Sequence, residues 1–270
     1  MDVPTFFEPQ KVTSDVYVLR SYFPIPGLGI IPVNAFLLLA KEPVLVDTGL
    51  VPLSEAFLEA LGTILDPMDL KWIWLTHTDQ DHIGSLWPLI EAAPGLRIVT
   101  TFLALGKMSL YRPLPPDRVY LLNPGQSLDV GDRKLKAIKP PTFDAPETTG
   151  FLDPGSQAFF CADCFGAVLS DPADSAAAIS PSELESGLKL WGTIDAPWIH
   201  MVPPGLFRDS LSGIREFSPK WIMSSHLPPA QDMTDRLLSL LATLPESDPF
   251  VGPDQKALVE MMSMQGGQEN

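Results

Sequence analysis

The chain has 270 residues, 45% of them hydrophobic, enough for a packed core and inconsistent with a disordered or fibrous protein. Asp and Glu outnumber Lys and Arg 33 to 18 and no basic block occurs, which disfavours nucleic acid and anionic membrane surfaces as partners. The apolar run at 35–40 is broken by Lys41 and Glu42, far short of a membrane span, and the start, with Asp2, Pro4 and Glu8, lacks signal-peptide character, so a cytoplasmic protein is expected.

In chain order, Val16–Arg20, Ala35–Leu39 and Val44–Val46 read as strands bounded by Pro, Gly, Asp or Lys, with Tyr22–Ile31 between the first two as an apolar loop. Helical spacing of Leu53, Phe57, Leu58, Leu61 and Leu65 predicts a helix over Pro52–Leu65. A strand buried on both faces (Lys71–Leu75), a helix (Ser85–Ala93), a strand (Leu96–Thr100) and a helix (Phe102–Tyr111) follow. Turn signals at Asn123-Pro124-Gly125 and Gly131-Asp132 divide Val119–Ile138 into hairpins. The last third adds a strand within Ala158–Phe165, helices over Pro181–Leu190 and Gly205–Phe217, a strand at Trp221–Ser224 and a helix over Asp232–Leu241. One further helix is expected over Gln255–Met262. Two sheets flanked by helices fit this order better than a uniformly alternating α/β sheet. A single domain is expected over residues 1–245, with 246–270 as a C-terminal extension.

Chemistry concentrates in Thr76-His77-Thr78-Asp79-Gln80-Asp81-His82-Ile83-Gly84. Four possible metal ligands lie within six positions, directly after a buried strand and before a helix, where a loop can aim them into one cleft. In an extended turn His77 and Asp79 project to one side while Asp81 and His82 point elsewhere, an arrangement that suits two adjacent ions.

With Asp47-Thr48-Gly49 upstream, this motif resembles that of the metallo-β-lactamase superfamily, whose members carry His-x-His-x-Asp-His. The resemblance covers roughly Val12–Pro229 and implies an αββα sandwich, two mixed sheets face to face with helices outside. The replacement of the second His by Asp79 is similar to the His-x-Glu-x-Asp-His of flavodiiron and free-standing oxygen-binding diiron proteins. Downstream, the same resemblance implies Asp144 where the family has a third His, Asp163 as the carboxylate bridging two ions, and His226 as the last imidazole. It assigns His77, Asp79 and Asp144 to a first ion and Asp81, His82 and His226 to a second, with Asp81 and Asp163 closest to the chemistry. Asp47 is expected to order the loop by accepting a hydrogen bond from a ligand histidine rather than to bind metal. No flavodoxin-like domain is expected, so an external electron donor is.

Four carboxylates and three imidazoles form an oxygen-rich set that favours two divalent ions of iron, with manganese or zinc as alternatives. The added carboxylates oppose the acidification of metal-bound water that hydrolysis requires. The leading expectation is therefore binding or reduction of dioxygen or a related small molecule. The alternatives are a metal-dependent hydrolase of a small ester, thioester, lactone or phosphodiester, and a non-catalytic sensing module; an oligomer is compatible with all three. Cys161 and Cys164 read as small buried residues, His200 as packed or at the surface, and Trp72, Trp74, Trp87 and Trp191 as core. Phe23, Phe143 and Trp198 are placed at the cleft border.

Overall fold

The computed structural model describes residues 3–259. Strands β1 (Thr5–Phe6), β2 (Gln10–Lys11), β3 (Val16–Ile25), β4 (Gly29–Leu38), β5 (Val44–Val46), β6 (Trp72–Trp74), β7 (Arg97–Thr100) and β8 (Val119–Leu121) form one sheet. Strands β9 (Ser127–Asp129), β10 (Lys134–Ile138), β11 (Gly150–Asp153), β12 (Ala158–Phe160), β13 (Trp221–Met223) and β14 (Ala230–Gln231) form the other. The first runs in the order β1-β3-β4-β5-β6-β7-β8 with β2 also on β3, and the second in the order β14-β13-β12-β11-β10-β9. Pairing is parallel from β5 to β8 and between β12 and β13, and antiparallel elsewhere, so both sheets are mixed.

The two-residue period of a strand explains the layering, because successive side chains leave opposite faces. Val16, Val18, Phe36, Leu38, Val44, Val46 and Trp74 point inward and meet Leu135, Ala137, Phe151, Phe160 and Met223 of the facing sheet. The residues between them, Leu19, Leu37, Leu45, Ile73 and Ile98, point outward onto helices α1 (Ser54–Gly62), α2 (Leu86–Ala92) and α3 (Phe102–Tyr111). Leu152, Phe159 and Ile222 likewise face α4 (Pro181–Asp195), α5 (Pro204–Ser210), α6 (Ser212–Phe217) and α7 (Thr234–Leu241). The architecture is thus the expected sandwich of two sheets with helices outside.

Several local expectations are corrected. Tyr22–Ile31 is no loop: β3 and β4 continue through it in register, Tyr22 opposite Pro32 and Ile25 opposite Gly29. Pro24 and Pro32 mask the alternation, and the reversal uses Gly27 and Gly29 at φ 78° and 138°. A Cβ on Gly29 would lie 2.4 Å from the Leu169 carbonyl oxygen, so the hairpin tip needs glycine to approach that loop. Val119–Leu121 belongs to the first sheet, parallel to β7, so Asn123-Pro124-Gly125 carries the chain between sheets and only β9–β10 is a hairpin. β11 was not foreseen. The strand expected within Ala158–Phe165 is β12, which ends at Phe160 before Ala162 and Phe165 adopt left-handed φ of 51° and 69°.

The helix expected over Gly205–Phe217 divides at Leu211 into α5 and α6. Helix α4 starts as its sequence suggests, with Pro181 in the first turn and the Ser180 hydroxyl accepting from the Glu183 amide. It runs five residues past the expected end, through Gly192 and Thr193 to Asp195, because the packing of Gly192 against Leu244 overrides weak local propensity. Residues 255–259 are helical, and the remainder of the helix expected over Gln255–Met262 lies outside the described residues.

Candidate metal centre

Asp47 follows β5, the 76–84 segment follows β6, Asp163 follows β12 and His226 follows β13, so each donor segment leaves a strand at the same rim of the sandwich. Ligand sites in α/β sheets form where loops gather at strand ends in this way. The seam between the sheets is closed there by Asn34 of β4, whose side-chain amide donates to the Ser224 and Leu227 carbonyls at 3.1 and 2.8 Å. Gly84 packs its Cα against the Asp47-Thr48-Gly49 turn, where a Cβ would lie 2.3 Å from the Gly49 oxygen. The motif loop and the strand end are therefore joined without a side chain between them.

All seven expected donors converge. His77, His82 and Asp163 form one cluster of ligand atoms, Asp81, His82 and His226 a second, and His77, Asp79 and Asp144 a third. Asp163 lies between the two sides: its Oδ2 is 3.2 Å from His77 Nε2, while its Oδ1 is 3.2 Å from His82 Nε2 and 3.1 Å from His226 Nε2. Asp81 Oδ2 is 3.5 Å from both His82 and His226 Nε2, and Asp144 Oδ1 is 4.0 Å from His77 Nε2.

The histidines are oriented from behind. His82 Nδ1 is 2.8 Å from Asp47 Oδ2, and His226 Nδ1 is 2.7 Å from the Pro32 carbonyl. Thr76 donates its hydroxyl to Asp47 Oδ2 at 2.7 Å and its amide to Oδ1 at 2.8 Å, and its hydroxyl oxygen lies 3.1 Å from His77 Nδ1. Each imidazole thus has an oxygen partner for an Nδ1 proton, which leaves the Nε2 lone pair facing the cluster, the arrangement of metal-bound histidines. Asp47, at φ 58° and 1% exposed, plays the ordering part expected of it.

Buried polar groups ordinarily find partners, yet His82 Nε2 and Asp163 Oδ1 make no hydrogen bond. Three imidazoles and a carboxylate sharing one buried point without hydrogen-bond geometry fit a cation rather than a proton network. Burial alone would push the Asp163 carboxyl up, but His77, His82 and His226 hold it well below the usual range. Burial opposes charge on His82 as well, and Asp81, Asp163 and Asp47 outweigh it and raise its pKa. The mixture of carboxylates and imidazoles in this donor set can hold two ions with Asp163 between them.

Some neighbours carried no sequence signal. Asp195, at the end of α4, brings its carboxylate to Asp144 and Asp163; burial first, then those two neighbours, push its pKa up to about 8. Trp191, expected in the core, packs on His226 with ring centroids 4.6 Å apart and donates its indole N–H to the Asp163 carbonyl at 3.2 Å. It lines a cavity of about 440 Å³ together with Phe23, Ile31, Val33 and Leu50, and Asp81 and His226 form the polar end of that cavity. Phe23 is therefore at the cleft as expected. Phe143 and Trp198 act further back: the Trp198 indole donates to the Phe143 carbonyl at 2.7 Å and steadies the loop bearing Asp144. Lys107 of α3 pairs with buried Glu147, which also accepts from the Thr78 hydroxyl at 3.1 Å, tying the motif loop to the Asp144 loop. Cys161 and Cys164 are buried free thiols, as expected, and His200 lies in a 3-10 turn, in none of the donor clusters.

Comparison with known proteins agrees with this fold. The diflavin flavoprotein A 1 of Synechocystis sp. is 27% identical over 134 residues, covering 49% of this chain and 23% of that protein. The anaerobic nitric oxide reductase flavorubredoxin of Salmonella typhi is 26% identical over 173 residues, 63% of this chain and 36% of its own. Among solved structures, the rubredoxin oxygen:oxidoreductase of Desulfovibrio gigas superposes with a TM-score of 0.77 at 18% identity, over 90% of this chain and 63% of that one. The chain spans between about a quarter and about a half of the length of the curated relatives it matches. The protein-family model described as ODP family beta lactamase matches residues 31–226, and the chain belongs to that family.

Proposed function

We propose that this chain is a binuclear iron protein that reduces dioxygen or nitric oxide with electrons from an external carrier. The observation that carries the reading is the convergence of three outward-anchored imidazoles on the two oxygens of one buried carboxylate. Named relatives are reductases of nitric oxide or oxygen, which supports the same chemistry here.

Bound iron would supply the electrons and the open coordination positions for a diatomic ligand. His77, Asp79 and Asp144 would hold the first ion and Asp81, His82 and His226 the second, with Asp163 offering one oxygen to each side. Thr76, Asp47 and the Pro32 carbonyl keep His77, His82 and His226 in the ligating tautomer. The apolar walls of the cavity favour entry of small uncharged molecules over hydrated ions, and Asp81 and His226 are the donors that line it. Residues 1–245 form the unit that does this work, with 246–270 an extension. Among the described residues no helix is long and apolar enough to cross a membrane, which accords with a cytoplasmic role beside a diffusing electron donor.

The test is elemental analysis and an optical spectrum of protein purified without added metal, followed by anaerobic reduction and mixing with dioxygen or nitric oxide. About two irons per chain and rapid reoxidation are expected. Zinc in place of iron, or a reduced protein whose spectrum does not change with either gas, overturns the proposal.

A further inference from the structure

We propose that Asp195 is an eighth metal ligand, completing the first subsite on the side of Asp144 and making it selective for hard, oxygen-preferring cations. The inference rests on the binuclear reading above. The Asp195 carboxylate lies within 4.8 Å of ligand oxygens of both Asp144 and Asp163. Two oxygens on one ion at about 2.1 Å each stand at most about 4.2 Å apart, so sub-ångström adjustment brings the three onto a common cation.

The placement of Asp195 is unfavourable without one. It is 8% exposed and, among the described residues, its carboxylate accepts no hydrogen bond, so no bond within the protein offsets the water it has lost. The carboxylates of Asp144 and Asp163 stand beside it. It is also the last residue of α4, where the negative end of the helix dipole repels an anion. Burial, like charge and helix dipole all oppose a carboxylate there, and a cation between Asp144, Asp163 and Asp195 reverses all three.

The consequence is asymmetry between the subsites. The first has one imidazole, His77, with Asp79, Asp144, Asp195 and the shared Asp163. The second has two imidazoles, His82 and His226, with Asp81 and Asp163. Carboxylate-rich sets favour manganese and iron, and added imidazoles favour zinc. The exchange of a histidine for Asp144 and the recruitment of Asp195 thus act in one direction.

The experiment titrates metal-free protein with Mn²⁺, followed by the loss of the free-ion electron paramagnetic resonance signal, and then challenges it with Zn²⁺. Wild type is expected to retain about one Mn²⁺ per chain against one equivalent of Zn²⁺. Asp195→Asn is expected to bind that Mn²⁺ at least tenfold more weakly and to lose it to Zn²⁺, with Asp195→Glu recovering part of the affinity. Melting of the metal-free variants checks folding, and Asp195→Asn, which removes the opposed charge, is expected to melt no lower than wild type. Unchanged Mn²⁺ affinity in Asp195→Asn overturns the assignment of Asp195 while leaving the seven-ligand site intact. Failure of the wild type to bind either ion overturns the underlying site and the proposal together.

Discussion

His82 and His226, on one side of Asp163, are 1% and 2% exposed, and each ring is anchored through Nδ1 to an oxygen of another segment. On the other side Asp79 and Asp144 occupy exposed loop positions, and only His77 is held from behind. The proposed second subsite is therefore preorganised, with its side-chain entropy already lost in the fold, whereas carboxylates of the proposed first would be ordered when an ion arrives. Rigid imidazoles set a position, and adjustable carboxylates accommodate changes in coordination, so a redox centre can use both.

Removing the shared element tests this contrast most severely. Asp163→Ala should abolish binding at both subsites, seen as loss of nearly all metal by elemental analysis; retention of one ion would show that the sides are independent. The rigid side depends on its anchors, so Asp47→Asn should weaken metal at the second subsite roughly ten- to hundredfold, the usual effect of losing the partner of a ligand histidine. Equal affinity in a metal titration would mean that preorganisation contributes nothing there.

The adjustable side depends on the tie between its two loops. Lys107→Met leaves the Glu147 carboxylate buried without its cation and should cost about 2 kcal/mol in chemical denaturation, more than Glu147→Gln, which leaves a half-exposed lysine free to reach water. Burial raises the Glu147 pKa, but the bond from Lys107 and its backbone and Thr78 contacts hold it below the ordinary range. The folded state then binds that proton less readily than the unfolded chain. This contribution to stability is complete above about pH 4.3 and is lost as acid protonates the folded form. Glu147→Gln should flatten the acid limb of the stability profile, and an unchanged limb would remove Glu147 from the account. The smallest effect is in selectivity: Asp79→His with Asp144→His should raise the zinc-to-iron ratio by about tenfold, and an unaltered ratio would sink the assignment of both to the first ion.

Much of the site is legible because its chemistry is local. His77, Asp79, Asp81 and His82 announce themselves within six positions, and Asp47, Asp163 and His226 each follow an apolar strand. Short uninterrupted apolar runs likewise expose β5 and β6. The β3–β4 hairpin was hidden because Pro24 and Pro32 look like breakers, although both sit within the ten-pair ladder that joins those strands. Lys107 and Glu147 are forty positions apart, and no local pattern marks them as partners.

The sequence by itself determined two sheets flanked by helices, the ligand types and their oxygen-rich balance, since hydrophobic period and donor chemistry are properties of short segments, and the family resemblance implied how the sheets face each other. Only the tertiary structure decided which way the donors face: the Asp47 and Pro32 oxygens that orient His82 and His226, and the Trp191 ring against His226, come from distant elements. Asp195 is the clearest case, because nothing near it in the chain resembles a ligand motif. It reaches the metal centre because close packing of Gly192 on Leu244 extends α4 to the seam between the sheets.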